Sequence, residues 1–257
     1  FIFHFAPASS MPASKTTSFG EDFGQKVDLT ANIRGILRNY PEGTAIIKEL
    51  VQNADDAGAM KVSICLDSRQ HGVSALADAG LAEFQGPALL AYNDSIFTED
   101  DFRSIQRIGD SLKKASEDQT KIGRFGIGFN AVYHWTDLPS FVSANKLVML
   151  DPQARFLPNV NPSNPGRMVD WIENPDVIQA YRDQFSVYQF EGKEIDWTKP
   201  FNGTLFRLPL RTSDQAETSS LSKRALGAKD ALSILMSLRD EAAAMLLFLN
   251  NVESIEI

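Results

Sequence analysis

Residues 44–57 read TAIIKELVQNADDA, and at about 100° per residue Ile46, Leu50, Ala54 and Ala57 fall on one helical face with Ile47 and Val51 beside them. A stripe of that width has to pack against a core. Along its edge Glu49, Asn53 and Asp56 line up within a band of roughly 60°. Two amides and three carboxylates within the stretch KELVQNADDAG are more hydrogen-bonding groups than a packed helix needs, so some of them face a ligand. A solvated edge is the plain alternative for an ExxxN pair. Lys48, Gln52 and Asp55 take the remaining arc and are expected to face water.

A second helical pattern, 28–39 with Leu29, Ile33, Ile36 and Leu37, precedes it, and Pro41 and Gly43 mark the break between the two. KVSICLD (61–67) alternates and ALLAYND (88–94) is a short apolar run, so both read as buried strands. Thr98 followed by Asp101 gives a helix start with a shortened capping box. Residues 109–122 are polar and lack an apolar stripe, which suggests a mobile segment. FNAVYHW then reads as a helix, 139–151 as strands, and 203–211 as a strand. Five of the twelve prolines fall in 151–175, so an irregular surface loop or insertion is expected there. Residues 229–249 form a long helix whose apolar set, Leu232, Leu235, Met236, Leu238, Met245, Leu246, Phe248 and Leu249, is expected to be core, and VESIEI ends the chain as a strand.

The 257 residues are 43% hydrophobic, enough for one large core, and no composition shift divides them, so 19–257 is expected to be a single domain. Residues 1–18 are set aside as foreign leader residues or a disordered tail, with Met11 a candidate native start. The excess of 33 acidic over 25 basic residues repels nucleic acid and anionic membrane surfaces, so neither is expected as a partner. No apolar run approaches the roughly 18–20 residues that cross a bilayer. Cys65 is the single cysteine, and with three histidines no Cys/His cluster has metal-site spacing. That usage fits a reducing, cytoplasmic location. His134 is read as a packed or capping residue.

Three further features carry chemistry. In GRFGIGF, Gly123, Gly126 and Gly128 leave backbone N–H groups unshielded before a helix, which suits a phosphate or, equally, a tight turn against a neighbour. Asp94 closes an apolar strand, where a carboxylate can read an exocyclic amine or form a local turn. Thr204 follows Gly203 at a strand start and means nothing alone.

In this order, the polar-edged helix, the strand ending in Asp, the polar segment, the glycine-rich helix start and the Gly-Thr strand resemble the nucleotide-binding domain shared by gyrase B, the heat-shock-90 chaperones, histidine kinases and MutL. NYPEGTAIIKELVQNADDAGA, YNDSIFTEDDF, IGRFGIGFNAVYHWTD, LVMLDP and FNGTLFRLPLR are similar to the heat-shock-90-like domain that opens each large repeat of the sacsin family of giant co-chaperones. The resemblance implies an α/β two-layer sandwich of the Bergerat type: a mixed, largely antiparallel sheet with helices on one face.

It also implies roles. Glu49 matches the general base, Asn53 the magnesium ligand, Asp94 the adenine-reading carboxylate and Thr204 its water-bridging partner. Asp56 and Lys113 match ligand-contacting positions, and Gly123, Arg124, Phe125, Gly126, Ile127 and Gly128 the phosphate-facing loop, with a lid at about 109–128. The implied cofactor is ATP or ADP with magnesium, whose hard oxygen ligands suit this set. The implied partners are adenine nucleotide and protein clients or chaperone partners. One departure stands out: the two glycines of the chaperones' DxGxG are missing, and Ser95, Ile96 and Phe97 carry side chains where the backbone approaches the base. Two functions follow: an ATP-binding chaperone module with at most slow hydrolysis, or a scaffold that keeps the fold and binds clients or partners. A kinase-type glycine box and DNA-handling domains are not visible, which leaves the histidine-kinase and gyrase readings unsupported.

Overall fold

Side chains alternate across a strand, and the strands over 88–93, 140–144, 146–150 and 201–209 bury both of the sets so formed. The computed structural model describes residues 28–106, 128–190 and 192–257. The strands are β1 (Lys61–Asp67), β2 (Ala88–Asn93), β3 (Ser140–Ala144), β4 (Lys146–Leu150), β5 (Gly166–Asp170), β6 (Gln189–Phe190), β7 (Lys193–Glu194), β8 (Phe201–Pro209) and β9 (Ser254–Glu256). Seven of them form one sheet in the order β5-β4-β3-β8-β2-β1-β9, and β6 pairs with β7 apart from it. All pairings in the large sheet are antiparallel except β1 with β9. This is the mixed, largely antiparallel α/β sandwich expected from the sequence.

Four helices, α1 (Leu29–Asn39), α2 (Thr44–Asp56), α3 (Glu99–Ile105) and α4 (Ala228–Leu246), pack on one face. Ile33 of α1, Ile46, Leu50 and Val51 of α2 and Leu235 of α4 share a core with Leu89, Phe206 and Leu208 of the sheet. Burying each such side chain contributes ~1.5–3 kcal/mol. The capping box at α3 forms as read, Asp101 Oδ2 accepting from Thr98 N at 2.8 Å.

The opposite face carries a second core, and the proline-rich stretch 151–175 supplies part of it. That stretch is irregular, but it is not a mere surface loop: Phe156, Leu157 and Trp171 are buried against Leu90, Val142 and Leu205. Asp151, fully buried, holds it by accepting the N–H groups of Arg155, Phe156 and Leu157 at 2.8, 2.6 and 3.0 Å.

Three other expectations change. FNAVYHW forms a buried 3-10 turn, Gly128–His134, rather than an α-helix. Its carbonyls are drawn outward by the Arg211 guanidinium, which donates to Tyr133 O, His134 O and Thr136 O at 2.7, 2.9 and 3.0 Å and pairs with buried Asp137 at 2.7 Å. On α4, Leu235 and Leu238 are core, but Leu232 and Met236 are exposed, because they lie roughly 100° around the helix from the buried stripe, and Phe248, past the end of the helix, is exposed as well.

Asp55 is the third. Instead of facing water it is fully buried, accepting the N–H groups of Asn250, Asn251 and Val252 at 3.0, 2.6 and 2.9 Å, while Asn251 Nδ2 donates back to Asp55 O at 2.8 Å. The carboxylate thereby ties the end of α2 to the turn that starts β9. Burial pushes its carboxyl up, but the backbone N–H groups outweigh burial and hold it below the usual 3.8. Asp55→Ala strands those donors and is expected to cost about 3 kcal/mol in urea unfolding at pH 7. Because the folded value is depressed, that stability is complete above the ordinary carboxylate value and is lost as pH falls through the folded one. The gap between wild type and variant should therefore close on acidification; an unchanged midpoint at pH 7 would contradict the assignment.

Candidate functional site

Because α2 buries one stripe, its edge is fixed, and Glu49 and Asn53 project from it one turn apart. Glu49 meets the head of the 3-10 turn. A β-carbon on Gly128 would overlap Glu49 Oε2 and stand 3.0 Å from its Cδ, so a side chain there would make the Glu49 carboxylate swing aside. Burial, and after it the neighbouring Asp56 carboxylate, push the Glu49 carboxyl up. Asp56 itself accepts from Gln52 Nε2 at 3.2 Å.

Asn53 turns its Nδ2 into the protein, where it is buried without a hydrogen-bond partner among the described residues. It lines a cavity of ≈ 10 Å³ with Asn93, Ser95, Phe97 and Thr204, room for about one water. With Nδ2 turned inward, Oδ1 is the oxygen Asn53 has to offer a cation.

The far wall is built by β8. Gly203, at φ 139°, brings the strand so close to β2 that a β-carbon would lie 2.6 Å from Asn93 O. The register against β3 shifts between Ser143 and Ala144 at the same level. Thr204, fully buried, thereby donates its Oγ1 proton to Ser95 O at 2.8 Å and lies 2.8 Å from Ser143 Oγ. Ser143 Oγ in turn accepts from Phe97 N at 2.9 Å. These bonds fix the loop 94–97, and the Phe97 ring packs 4.8 Å from that of Phe141 and 5.3 Å from that of Phe102.

Asp94 is not in the cleft. Its Oδ1 accepts from Met60 N at 2.8 Å and Lys61 N at 3.0 Å, closing the turn between α2 and β1. Strand alternation explains this placement: Leu89, Ala91 and Asn93 share the face toward α2, so the residue presented beside Thr204 is Asn93. That periodicity was available in the sequence and would have found Asn93. The structure thus brings Glu49, Asn53, Gly128 and Thr204 to one side of the sheet, with Asp56 beside Glu49. Lys113, Gly123, Arg124, Phe125, Gly126 and Ile127, and the lid except Gly128, lie outside the described residues. His134 is packed, its Nε2 3.1 Å from Tyr40 O. No helix among the described residues is long and apolar enough to cross a membrane, and no group of three or more His, Cys, Asp or Glu stands ready for a metal there.

A seven-stranded mixed sheet with its long helices on one face, and with an amide of the second helix set beside the end of a central strand, defines an α/β sandwich protein with a small polar cleft on its helical side. The model of the Sacsin domain matches residues 26–257, and human (Homo sapiens) sacsin is 40% identical over 242 residues, 94% of this chain. The chain belongs to the sacsin family. It spans 5% of the length of that relative.

Two outcomes check the site. Gly128→Ala is expected to cost no more than about 1 kcal/mol, since the end of the Glu49 side chain can swing aside, and less still when Glu49 is already Ala; equal costs in both backgrounds would separate the two residues. Glu49 holds its proton more tightly when folded, so its favourable contribution is complete below the ordinary 4.5 and is lost as pH rises through the raised folded value. Glu49→Gln should therefore melt no lower than wild type at pH 7.5, with the difference vanishing on acidification.

Proposed function

We propose that this chain is the nucleotide-binding module of a much longer, cytoplasmic, sacsin-like chaperone or co-chaperone, of the heat-shock-90-like type, taking ATP or ADP with magnesium and hydrolysing ATP slowly at most. The observation that carries the reading is the Glu49 carboxylate set against Gly128, with the Asn53 amide one turn along the same helix.

The residues fit magnesium in the way this ion is usually held, through one or two protein oxygens with the rest from phosphates and water. Asn53 Oδ1 supplies one such oxygen. Bound there, the ion would neutralise phosphate charge. Glu49 has the features of a general base for one water: a carboxylate partly withdrawn from solvent, whose proton affinity burial raises, set beside Gly128.

A second reading, a scaffold that keeps the fold and binds clients or partners, is favoured by the loop 94–97. Phe97 fills the space beneath it, Asp94 turns away, and the remaining cavity is water-sized. Thermal unfolding separates the two. Nucleotide at a hundred times its Kd should stabilise the protein by about 2.7 kcal/mol in a magnesium-dependent way. Asn53→Ala should lose the magnesium dependence, and Glu49→Gln should keep binding while lowering any turnover by about 10² or more. A melting temperature unmoved by millimolar ATP with magnesium would leave the scaffold reading.

A further inference from the structure

The outer side of α4 is more apolar than a solvated helix face needs to be. At about 100° per residue, Leu232, Met236, Arg239, Asp240, Ala243 and Leu247 fall within roughly 100° of arc, turned away from the buried stripe of Ala231, Leu235 and Leu238. Leu247 closes the helix in helical geometry, at φ -68° and ψ -18°, so the face is continuous up to that residue. Leu232 is 52% exposed, Met236 46% and Leu247 81%, and Ala243 is exposed between them. The helix lies over β1 and β9 at the edge of the sheet with α2 on one flank, which leaves this side facing outward.

The face reads the same in both directions. From Leu232 the steps to Met236, Arg239, Asp240, Ala243 and Leu247 are 4, 3, 1, 3 and 4 residues, so its midpoint falls between Arg239 and Asp240. Two copies laid antiparallel across a two-fold axis place Leu232 against Leu247 of the other copy, Met236 against Ala243 and Arg239 against Asp240, each pair occurring twice. In the Met-Ala pair a long side chain meets a short one, which lets the ridge of one helix enter the groove of the other. Neither Arg239 nor Asp240 forms a side-chain hydrogen bond or ion pair among the described residues, so both charges are available across the axis. A parallel pair would set Arg239 beside Arg239 and Asp240 beside Asp240, like against like, so the charges choose the antiparallel arrangement.

We propose that this outer face of α4 docks on the same face of a second copy of the domain, in an antiparallel helix pair centred between Arg239 and Asp240. The face is roughly 22 Å long and one helix wide. A contact of that size is below the area of a permanent dimer, so the association is reversible, with a dissociation constant on the order of 100 μM. It takes no group from the Glu49–Asn53 cleft and stands whether or not the domain binds nucleotide.

Sedimentation velocity of the full chain between about 10 μM and about 1 mM is the test. Wild type should pass from monomer toward dimer across that range, and less so as salt is raised. Arg239→Asp sets carboxylate against carboxylate twice and should weaken the dimer on the order of tenfold, whereas adding Asp240→Arg exchanges the charges and should restore it. The Arg239→Asp and Asp240→Arg chains, each weak alone, should pair when mixed. Both positions are exposed, so the folded domain persists in every variant. Wild type that stays monomeric at the top of the range would overturn the proposal and leave the face to a different protein or to another part of a longer chain. A dimer that Arg239→Asp leaves unchanged would lie on another surface and overturn it too, as would one that the double substitution fails to restore.

Discussion

The buried carboxylate of Asp55 fixes where α2 stops, and the cleft depends on that. A helix packed only by an apolar stripe can slide or rotate slightly at modest cost, but one whose last turn accepts three backbone N–H groups from 250–252 cannot do so without stranding them. Those donors belong to the turn before β9, which pairs with β1, so the helix is tied to the sheet through the edge strand. Glu49 and Asn53 inherit that position. A carboxylate held against Gly128 and an amide aimed into a water-sized cavity both need their helix set to within a fraction of an ångström.

The other half of the cleft is held by comparable devices. Arg211, with no exposed side-chain surface, gathers the carbonyls of 133, 134 and 136 and the Asp137 carboxylate, and so sets the 3-10 turn that begins at Gly128. An isolated buried ion pair would add little, because desolvation cancels much of the attraction; here every donor group of the guanidinium has an acceptor. Gly203 lets β8 close on β2, which is why Thr204 reaches Ser95 and Ser143. The polar groups of the cleft are thus positioned by buried charges and close backbone approaches, while the two apolar cores supply the bulk of the stability.

Much of the fold was legible because it is written in short-range periodicity. The stripe of α2, the alternation of β1 and the capping box of α3 each depend on residues within a few positions of one another. Glu49, Asn53, Gly128 and Thr204 were legible in another way, through the resemblance that their order of motifs bears to a known family, for Thr204 alone carries no signal. What could not be read locally was set by distant partners. Asp55 sits on an arc that looks outward until the turn at 250–252 covers it. Arg211 looks like a strand-end charge until the carbonyls of 133–136 surround it. At the end of β2 a single-residue offset exchanges the two faces, so Asn93 lies beside Thr204 while Asp94 turns to Met60 and Lys61. The proline-rich stretch is irregular as its composition says, yet composition does not reveal that Trp171 and Phe156 bury themselves under the sheet.

The central claim is that Asn53, Asn93 and Gly128 face one ligand site although they lie far apart in the chain. Heteronuclear NMR of the 15N-labelled domain, titrated with magnesium ADP, tests it directly through the side-chain NH2 signals of the two asparagines and the backbone amide of the glycine. All three should shift together along one saturation curve, with the signals of Cys65 and Tyr92 on the other side of the sheet unmoved. Shifts confined to that other side, or no movement of the two asparagine amides at saturating nucleotide, would contradict it.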